Sequence, residues 1–425
     1  MRDDREAAGG APGVPSFHSM WRELLGVGRH PGSGGYRRFA WGGADAECRE
    51  WFRAQAKARG LAYELDRNGN QWAWHGDPAA GDAVVTGSHL DSVPDGGAFD
   101  GPLGVLSAFA AFDELRARGA AFTRPFGVVN FADEEGARFG LACVGSRLTA
   151  GTLTPEAAYA LRDADGTTLP QAMEAAGYDP STLGPDPERL ARIGAFVELH
   201  IEQGRALAET PHPVAVASAI WPHGRWRFDF RGEANHAGTT RLEDRRDPML
   251  TYANTVLAAR KKARLAGALA TFGKVAVEPN GVNAVPSLVS GWLDSRAPDE
   301  ETLAGVVAEI ERAAAERGGR DGVEVAVVRE SATALVEFDH ALRDRLAERL
   351  AARPGTPPGG VPVLPTGAGH DAGILSASIP TAMLYVRNPT GVSHSPAESA
   401  EEDDCVAGVL ALADVLEGLA CRPQS

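Results

Sequence analysis

The segment Gly87-Ser88-His89-Leu90-Asp91 places a histidine and a carboxylate directly behind the apolar run Ala83-Val84-Val85. That run predicts a buried β-strand. Asp100-Gly101-Pro102 follows, and residues 103–118 then carry apolar side chains at helical spacing. Strands alternating with helices predict an α/β fold with a mostly parallel sheet flanked by helices. In open sheets of this kind, sites form where strands end in loops.

Three further apolar runs share this arrangement. They are residues 126–131 before Asp133-Glu134-Glu135-Gly136, residues 195–199 before His200, and residues 381–386 before His394. Imidazole and carboxylate groups together suit divalent zinc, manganese, cobalt or nickel. Each motif alone is also explained by a solvated or hydrogen-bonded polar residue. Four strand ends that all carry ligand types favour a metal-dependent hydrolase.

The acidic run also supplies a general base. Hydrolysis of an unactivated amide needs an activated water, a polarised carbonyl and a group that carries a proton to the leaving nitrogen, and a pair of metals supplies the first two. Of the adjacent Glu134 and Glu135, one can bind metal while the other remains free to move protons. Asp91 lies where its carboxylate could accept the second N–H of His89 and fix its tautomer.

Length, charge and cysteine content exclude several classes of function. The chain has 425 residues, enough for at least two domains, and a formal net charge of −15, which argues against a nucleic-acid partner. No apolar stretch reaches membrane-spanning length, and the protein is predicted to be cytoplasmic. The four cysteines form no cluster and are predicted to be reduced. For Cys143, close behind the glutamates, a buried packing role is favoured over a reactive one.

The pattern along the chain predicts an interrupted domain. Residues 1–16 are predicted to be a disordered tail, and residues 17–60 to be helical with a loop at 32–36. Residues 17–215 and 333–425 form the two parts of a catalytic domain. Residues 216–332 change to an α+β pattern, interpreted as an inserted lid and dimerisation domain whose closure would exclude water.

From about residue 20 to 420 the chain resembles the M20 metallopeptidase-like amidohydrolases, in the branch of N-carbamoyl-L-amino acid hydrolases, β-ureidopropionases and allantoate amidohydrolases. The motifs that carry the resemblance are residues 87–94, 97–104, 133–139, 199–204, 232–240, 280–286, 369–372 and 393–398. The resemblance implies a di-metal exopeptidase-like catalytic domain.

The resemblance also implies a ligand set. Asp100 would bridge two metals, His89 and His200 would complete one site, and Glu135 and His394 the other. Glu134 would be the general base and acid. The exopeptidases of the wider family use a carboxylate at the position of His200, so this histidine indicates the carbamoyl branch.

Substrate contacts are implied in the same way. Gln203 would contact the ureido or amide group, and His236 would stabilise the oxyanion, either in its own subunit or across a subunit interface. Asn283 and Arg296 would hold the substrate carboxylate, which suits a guanidinium, although pairing of Arg296 with Asp294 or Asp299 is an equal alternative. His370 could line the pocket or simply start a helix.

Three segments depart from the family pattern and flank the proposed pocket. They are residues 241–246, residues 221–224 and Val386-Arg387-Asn388. These changes bear on the substrate and leave the metal ligands intact.

The sequence therefore predicts a homodimeric hydrolase with two divalent metal ions per subunit. It would cleave the linear C–N bond of N-carbamoyl-L-amino acids to give the amino acid, carbon dioxide and ammonia. Allantoate, or another N-acyl or ureido amino acid, is the alternative substrate. A non-catalytic binding protein on the same fold is disfavoured because every ligand type and Glu134 are present. A serine hydrolase is disfavoured because no Gly-x-Ser-x-Gly motif occurs.

Overall fold

The computed structural model describes residues 16–422, which form two compact units. Unit 1 runs through Ser218 and resumes at Glu337, and unit 2 is Ala219–Val336. The sequence-based boundaries were 215/216 and 332/333. The predicted disordered tail of residues 1–16 lies, apart from Ser16, outside the described residues.

The strands and helices follow in chain order. The strands are β1 (Ala62–Leu65), β2 (Gln71–His75), β3 (Ala83–His89), β4 (Phe126–Phe131), β5 (Ile193–Ile201), β6 (Val214–Ile220), β7 (His223–Arg231), β8 (Asn235–His236), β9 (Leu269–Glu278), β10 (Ala284–Val285), β11 (Leu288–Arg296), β12 (Glu324–Thr333), β13 (Val336–Glu337), β14 (Val363–Thr366) and β15 (Thr381–Val386). The helices are α1 (Phe17–Leu24), α2 (Gly43–Ala58), α3 (Pro102–Ala117), α4 (Val144–Ala150), α5 (Pro155–Ala160), α6 (Leu169–Ala175), α7 (Pro187–Leu190), α8 (Pro248–Ala266), α9 (Glu300–Asp321), α10 (His340–Ala351), α11 (Asp371–Leu375) and α12 (Glu402–Ala420).

The sheet of unit 1 has the order β1-β2-β4-β3-β5-β15-β6. Its four central strands β4, β3, β5 and β15 are parallel, whereas β2 and β6 flank them in antiparallel pairing. The predicted α/β class with a mainly parallel, helix-flanked sheet is confirmed. The sheet's carboxyl edge therefore receives the loops after β3, β4, β5 and β15.

Helix α3 packs against this sheet. It contacts β3 and β5 on one side and α12 on the other, which explains why nearly its whole circumference is apolar. Phe109 and Phe112 are fully buried there, and truncating such a side chain to alanine costs about 3–5 kcal/mol. Pro102 at the first turn lacks only an N–H that would have no partner in the helix.

Between α1 and α2 the prediction of helix is wrong for residues 25–31 and 37–42, whereas the loop predicted at 32–36 is present. Residues 25–42 form turns and short bridges instead. Gly28 adopts φ +69°, which helical residues avoid, and a Cβ there would lie 2.8 Å from the Cγ of Arg38. This stretch contains five glycines, at positions 26, 28, 32, 34 and 35. Because glycine lowers helix stability, tertiary contacts determine the backbone conformation here.

Unit 2 has a four-stranded antiparallel sheet of order β12-β7-β11-β9, with α8 and α9 against it. Phe228, Phe230 and Leu293 lie at the centre of its core. A two-stranded ribbon, β8 with β10, is separate from this sheet. Within residues 16–422, no helix has both the length and the apolar character that crossing a bilayer requires.

Candidate active site

The parallel strands bring the five predicted metal ligands to one edge of unit 1. His89 is the last residue of β3 and His200 the next-to-last of β5, while Glu135, Asp100 and His394 lie in loops after β4, before α3 and after β15. Because these strands are adjacent and run in the same direction, their ends meet. The histidines at 89 and 200 were expected just beyond their strands, but the strands extend through them because ladder pairing continues to Phe131 and Ile201.

Asp100 has each of its two oxygens in a different ligand group. Its Oδ1 lies 3.2 Å from Nε2 of His200 and 3.7 Å from Nε2 of His89. Its Oδ2 lies 3.4 Å from Nε2 of His394, which is 3.7 Å from Oε2 of Glu135. Within each group, His89–Asp100–His200 and Asp100–Glu135–His394, the ligand atoms all lie within 4.8 Å of one another.

The hydrogen bonds of the two buried histidines leave suitable lone pairs. Nδ1 of His89 lies 3.2 Å from the carbonyl of Asp91, and Nδ1 of His200 lies 2.9 Å from the carbonyl of Ile201. A carbonyl only accepts, so Nδ1 carries the proton in both rings and Nε2 faces Asp100 with its lone pair. Nε2 of His200 is buried and has no hydrogen-bond partner among residues 16–422.

Buried carboxylates crowd the same edge. Burial, followed by the charge of Asp100, raises the pKa of Glu135 to about 7. Burial raises the pKa of Glu134 well above its usual value. Burial makes a negative charge costly unless a positive charge lies close by, and divalent cations supply such a charge. The donor set, its tautomers and its charge therefore fit two divalent metal ions.

A glycine permits the close approach of the Asp100 loop to β3. Gly101 has φ +84°, and a Cβ on it would lie 2.4 Å from Cε1 of His89. No side chain can be added there without moving the imidazole. This contact explains the Asp-Gly-Pro order at the start of α3.

Asp91 was predicted to fix the tautomer of His89 through its carboxylate, and the structure corrects that detail. The main-chain carbonyl of Asp91 is the nearer group to Nδ1, since Oδ1 of its carboxylate lies 3.5 Å away. The carboxylate instead accepts the backbone N–H groups of Glu134 and Glu135, both at 3.1 Å. Asp91 thus orients the glutamate pair, because two amide donors on one carboxylate are stronger than one long imidazole contact.

Gln203 lies within the cluster. Its side-chain amide donates to Oδ2 of Asp100 at 2.8 Å and to Oγ of Ser393 at 3.1 Å, and it is 3.3 Å from Nε2 of His394. The structure therefore brings the predicted ureido-contacting residue to the predicted ligands.

His370 is buried against His200, with ring centroids 4.5 Å apart in an edge-on arrangement. Burial lowers the pKa of His370 well below the usual value, which favours the neutral ring. His370 also precedes α11 as its N-cap residue. The helix-start interpretation is therefore observed, and the contact with His200 places His370 beside a predicted ligand, whereas its lining of a substrate pocket stays a prediction.

Glu398 is a site residue for which no role was predicted from the sequence. Its Oε1 accepts the backbone N–H groups of Phe99 and Asp100, at 2.9 and 3.0 Å, and Oε2 lies 3.5 Å from Oγ of Ser393. It thereby connects the loop of Asp100 with that of His394. The signal was present in the motif at 393–398, but a contact across 298 positions has no sequence periodicity that reveals it.

Cys143 is buried, and its thiol donates to Oε1 of Glu134 at 3.2 Å. Burial, and then the charge of Glu134, raises the thiol's pKa well above its usual value, so no reactive thiolate forms. The structure agrees with the packing interpretation and adds a contact with the predicted base.

Two predicted substrate residues lie together in unit 2. Asn235-His236 of β8 pairs with Ala284-Val285 of β10, and the carbonyl of Asn283 accepts the N–H of Ala237 at 2.9 Å. The side chains of His236 and Asn283 are exposed.

Arg296 does not join them. Its Nε and Nη2 donate to the two carboxylate oxygens of Asp294, at 2.8 and 3.2 Å. The ion-pair alternative named from the sequence is therefore formed. Arg296 also lies at the far end of β11, paired with His223, whereas the His236 end of that strand is Leu288, paired with Arg231.

Among the departures from the family pattern, Arg387 forms a two-pronged ion pair with Asp404, at 2.8 and 2.7 Å. This ion pair links the end of β15 to the first turn of α12. The next residue, Asn388, is fully buried and accepts the N–H groups of Thr390 and Gly391, which shapes the loop that leads to His394.

An α/β sheet with buried histidines and carboxylates at its carboxyl edge defines a class of metal-dependent hydrolases. The chain matches Peptidase family M20/M25/M40 over residues 85–418. It is 37% identical to an N-carbamoyl-L-amino acid amidohydrolase of Geobacillus stearothermophilus, over 92% of this chain and 95% of that protein. It is 33% identical to an allantoate amidohydrolase of Escherichia coli (strain K12), over 91% and 94% of the two chains.

Solved structures agree. A hydantoinase/carbamoylase family amidase from Burkholderia multivorans superimposes with a TM-score of 0.84 at 31% identity, covering 97% of this chain and 100% of that one. The chain belongs to peptidase family M20/M25/M40 and is a hydrolase that acts on amide C–N bonds. The predicted resemblance is confirmed.

Proposed function

We propose that the protein hydrolyses the ureido C–N bond of N-carbamoyl-L-amino acids, with two divalent metal ions bound in unit 1. One water is consumed, and the products are the free amino acid, carbon dioxide and ammonia. The observation that carries the proposal is Asp100, whose two oxygens face two separate ligand groups. The Geobacillus relative, which is named for this substrate class, supports the choice of substrate.

His89 and His200 would hold one metal ion with Asp100, and Glu135 and His394 the other. Bound there, zinc, manganese, cobalt or nickel would lower the pKa of water and polarise the carbamoyl oxygen. Asp100 would serve both ions because its oxygens already point to both groups.

Glu134 would move the proton. Its Oε2 lies 3.7 Å from Nε2 of His89. The carboxylate is therefore next to the proposed ligands but is not one of them. Its backbone is held by Asp91 and its other oxygen by Cys143. A buried carboxyl with a raised pKa can accept a proton from water and deliver it to the leaving nitrogen.

His236 and Asn283 of unit 2 would contact the substrate. An imidazole N–H can stabilise the negative charge that develops on the carbamoyl oxygen. Arg296 would bind the substrate carboxylate by exchanging its contact with Asp294 for one with the substrate.

The geometry of unit 2 favours a homodimer for this chemistry. Nine-residue β11 separates Leu288 from Arg296 by roughly 26 Å, at about 3.3 Å per residue. A small substrate cannot bridge that distance, so His236 and Arg296 acting on one molecule would come from two copies. Two features would suit a subunit contact, the edge strand β9 and the exposed Leu250, Leu257 and Leu265 of α8.

Allantoate is the second candidate, because the Escherichia coli relative is named for it. A substrate panel separates the two. Chelator-stripped protein is reloaded with manganese, cobalt, nickel or zinc and given N-carbamoyl-L-amino acids, their D-enantiomers, ureidopropionate or allantoate, and ammonia is measured. The proposal expects the highest kcat/KM for an N-carbamoyl-L-amino acid. Preference for allantoate, or no metal-dependent ammonia release from any compound, would refute it.

A further inference from the structure

We propose that Arg245 is a positioning residue that holds the His236 loop, defined as residues 235–240, in the form that donates a hydrogen bond to substrate. The inference rests on the proposed role of His236. No function was predicted for Arg245 from the sequence, although it lies in a segment that departs from the family pattern.

The His236 loop has several hydrogen bonds of its own, and the N–H of Ala237 also donates to the carbonyl of Asn283 at 2.9 Å. Asn235 pairs with Val285 through the short ribbon, and its side chain accepts the N–H of His236 at 2.9 Å. The carbonyl of His236 accepts the hydroxyl of Thr240 at 2.7 Å and its N–H at 3.1 Å. The loop is exposed, so water competes for each of these groups.

The loop also sets the tautomer of His236. The backbone N–H of Gly238 donates to Nδ1 of the imidazole at 3.0 Å. Nδ1 is therefore the acceptor, and in the neutral ring the proton lies on Nε2. An Nε2–H donor is the form that an oxyanion requires, and the Gly238 N–H favours it by occupying the lone pair of Nδ1.

The guanidinium of Arg245 donates three further hydrogen bonds to the loop. Its Nη2 donates to the carbonyl of Ala237 at 2.7 Å and to that of Thr240 at 3.1 Å, and its Nε donates to Thr240 at 3.1 Å. These two carbonyls flank Gly238. Three charge-assisted bonds from one planar group thus fix the backbone on either side of the amide that sets the tautomer.

The nearby Arg241 does not share this role. Arg241 is exposed and donates to Asp244, with Glu243 3.5 Å away. Arg241 is therefore a matched control: same residue type, same segment, no bond to the His236 loop. A lysine at 245 would keep the positive charge but lacks the planar guanidinium that donates to both carbonyls. The effect of Arg245→Lys on the loop is therefore expected to lie between those of wild type and Arg245→Ala.

The test has two arms. Hydrogen exchange is measured on Arg245→Ala, Arg245→Lys and Arg241→Ala in the full-length protein without substrate. The amides of Gly238 and Thr240 are expected to exchange at least about tenfold faster in Arg245→Ala, less so in Arg245→Lys, and as in wild type in Arg241→Ala. Unchanged exchange in Arg245→Ala overturns the proposal, whether or not any substrate is found.

The kinetic arm uses the best carbamoyl substrate of the panel. Arg245→Ala should lower kcat about 10- to 100-fold with little change in KM, because a misplaced donor loses contact mainly in the transition state. In a His236→Ala background the same substitution should cost nothing further. A full additional loss in that background would overturn the proposal. Full activity of His236→Ala itself would refute the proposed role of His236, while the exchange result still decides whether Arg245 holds the loop.

Discussion

The metal-type centre of unit 1 and the His236 loop of unit 2 are built differently. In the first, His89 and His200 lie on strand ends and are each only 1% exposed, while the other three ligands lie in adjacent loops and His394 is exposed. The second is an exposed loop held by backbone hydrogen bonds and by Arg245. In the first, the packed sheet holds the two buried histidines in place. In the second, a few local bonds hold the loop, and they can be removed without disturbing a core.

The largest effect is expected at the buried base. Glu134→Gln keeps the shape and the acceptor for the Cys143 thiol but cannot take up a proton. Turnover should fall by about 10³- to 10⁴-fold. Metal content, measured by mass spectrometry of the dialysed protein, should be unchanged. Cys143→Ala, which removes only the thiol contact, should keep most of the activity. Near-normal turnover of Glu134→Gln would refute its role as the base.

In the exposed loop, His236→Asn should lower kcat by about 10²- to 10³-fold, the usual consequence of removing one oxyanion donor. The melting temperature should stay within about 2 °C of wild type, because no buried contact is lost. Steady-state kinetics and calorimetry measure both quantities. A large drop in stability would show that the loop is part of the fold's core, and the His236 loop would then not differ from the metal-type centre in this respect.

An intermediate effect is expected at Glu398. Glu398→Ala removes the acceptor of the Phe99 and Asp100 amides, so the loop of Asp100 should loosen and metal affinity should fall by about 10- to 100-fold. Competition with a fluorescent chelator gives this affinity without any substrate. Glu401→Gln, on an exposed residue at the start of α12, is the control. Metal affinity equal to wild type would show that Glu398 is not needed to place Asp100.

The smallest effect is expected at Arg296. Arg296→Ala should raise KM about tenfold for a substrate with a free carboxylate and leave kcat nearly unchanged. Arg225, which lies 3.6 Å from the same Asp294, provides the control Arg225→Ala. An unaltered KM would mean that the ion pair with Asp294 is the whole function of Arg296.

The parts of the molecule that follow backbone periodicity could be predicted from the sequence. Apolar runs at residues 126–131 and 381–386 match β4 and β15 to the residue, since fully buried parallel strands are apolar on both faces. Polar residues directly behind such runs must reach the sheet's edge. His89 and Glu135 were predictable for that reason.

The contacts made by loops could not be predicted. The carboxylate of Asp91 binds the amides of Glu134 and Glu135 rather than the imidazole of His89, because the chain reverses near β4 in a way that spacing does not specify. Glu398 and Arg245 act through backbone groups of other segments. Backbone donors and acceptors are identical at every residue, so nothing in the sequence identifies their partners.

Metal titration of the stripped protein tests the central claim most directly. Ammonia release from an N-carbamoyl-L-amino acid is followed while manganese or zinc is added to protein of known concentration, and bound metal is quantified in parallel. Activity should rise to a plateau at two ions per chain, and Asp100→Asn should bind neither ion tightly. Full activity in stripped protein, or saturation at two ions with Asp100→Asn, would contradict a centre bridged by Asp100.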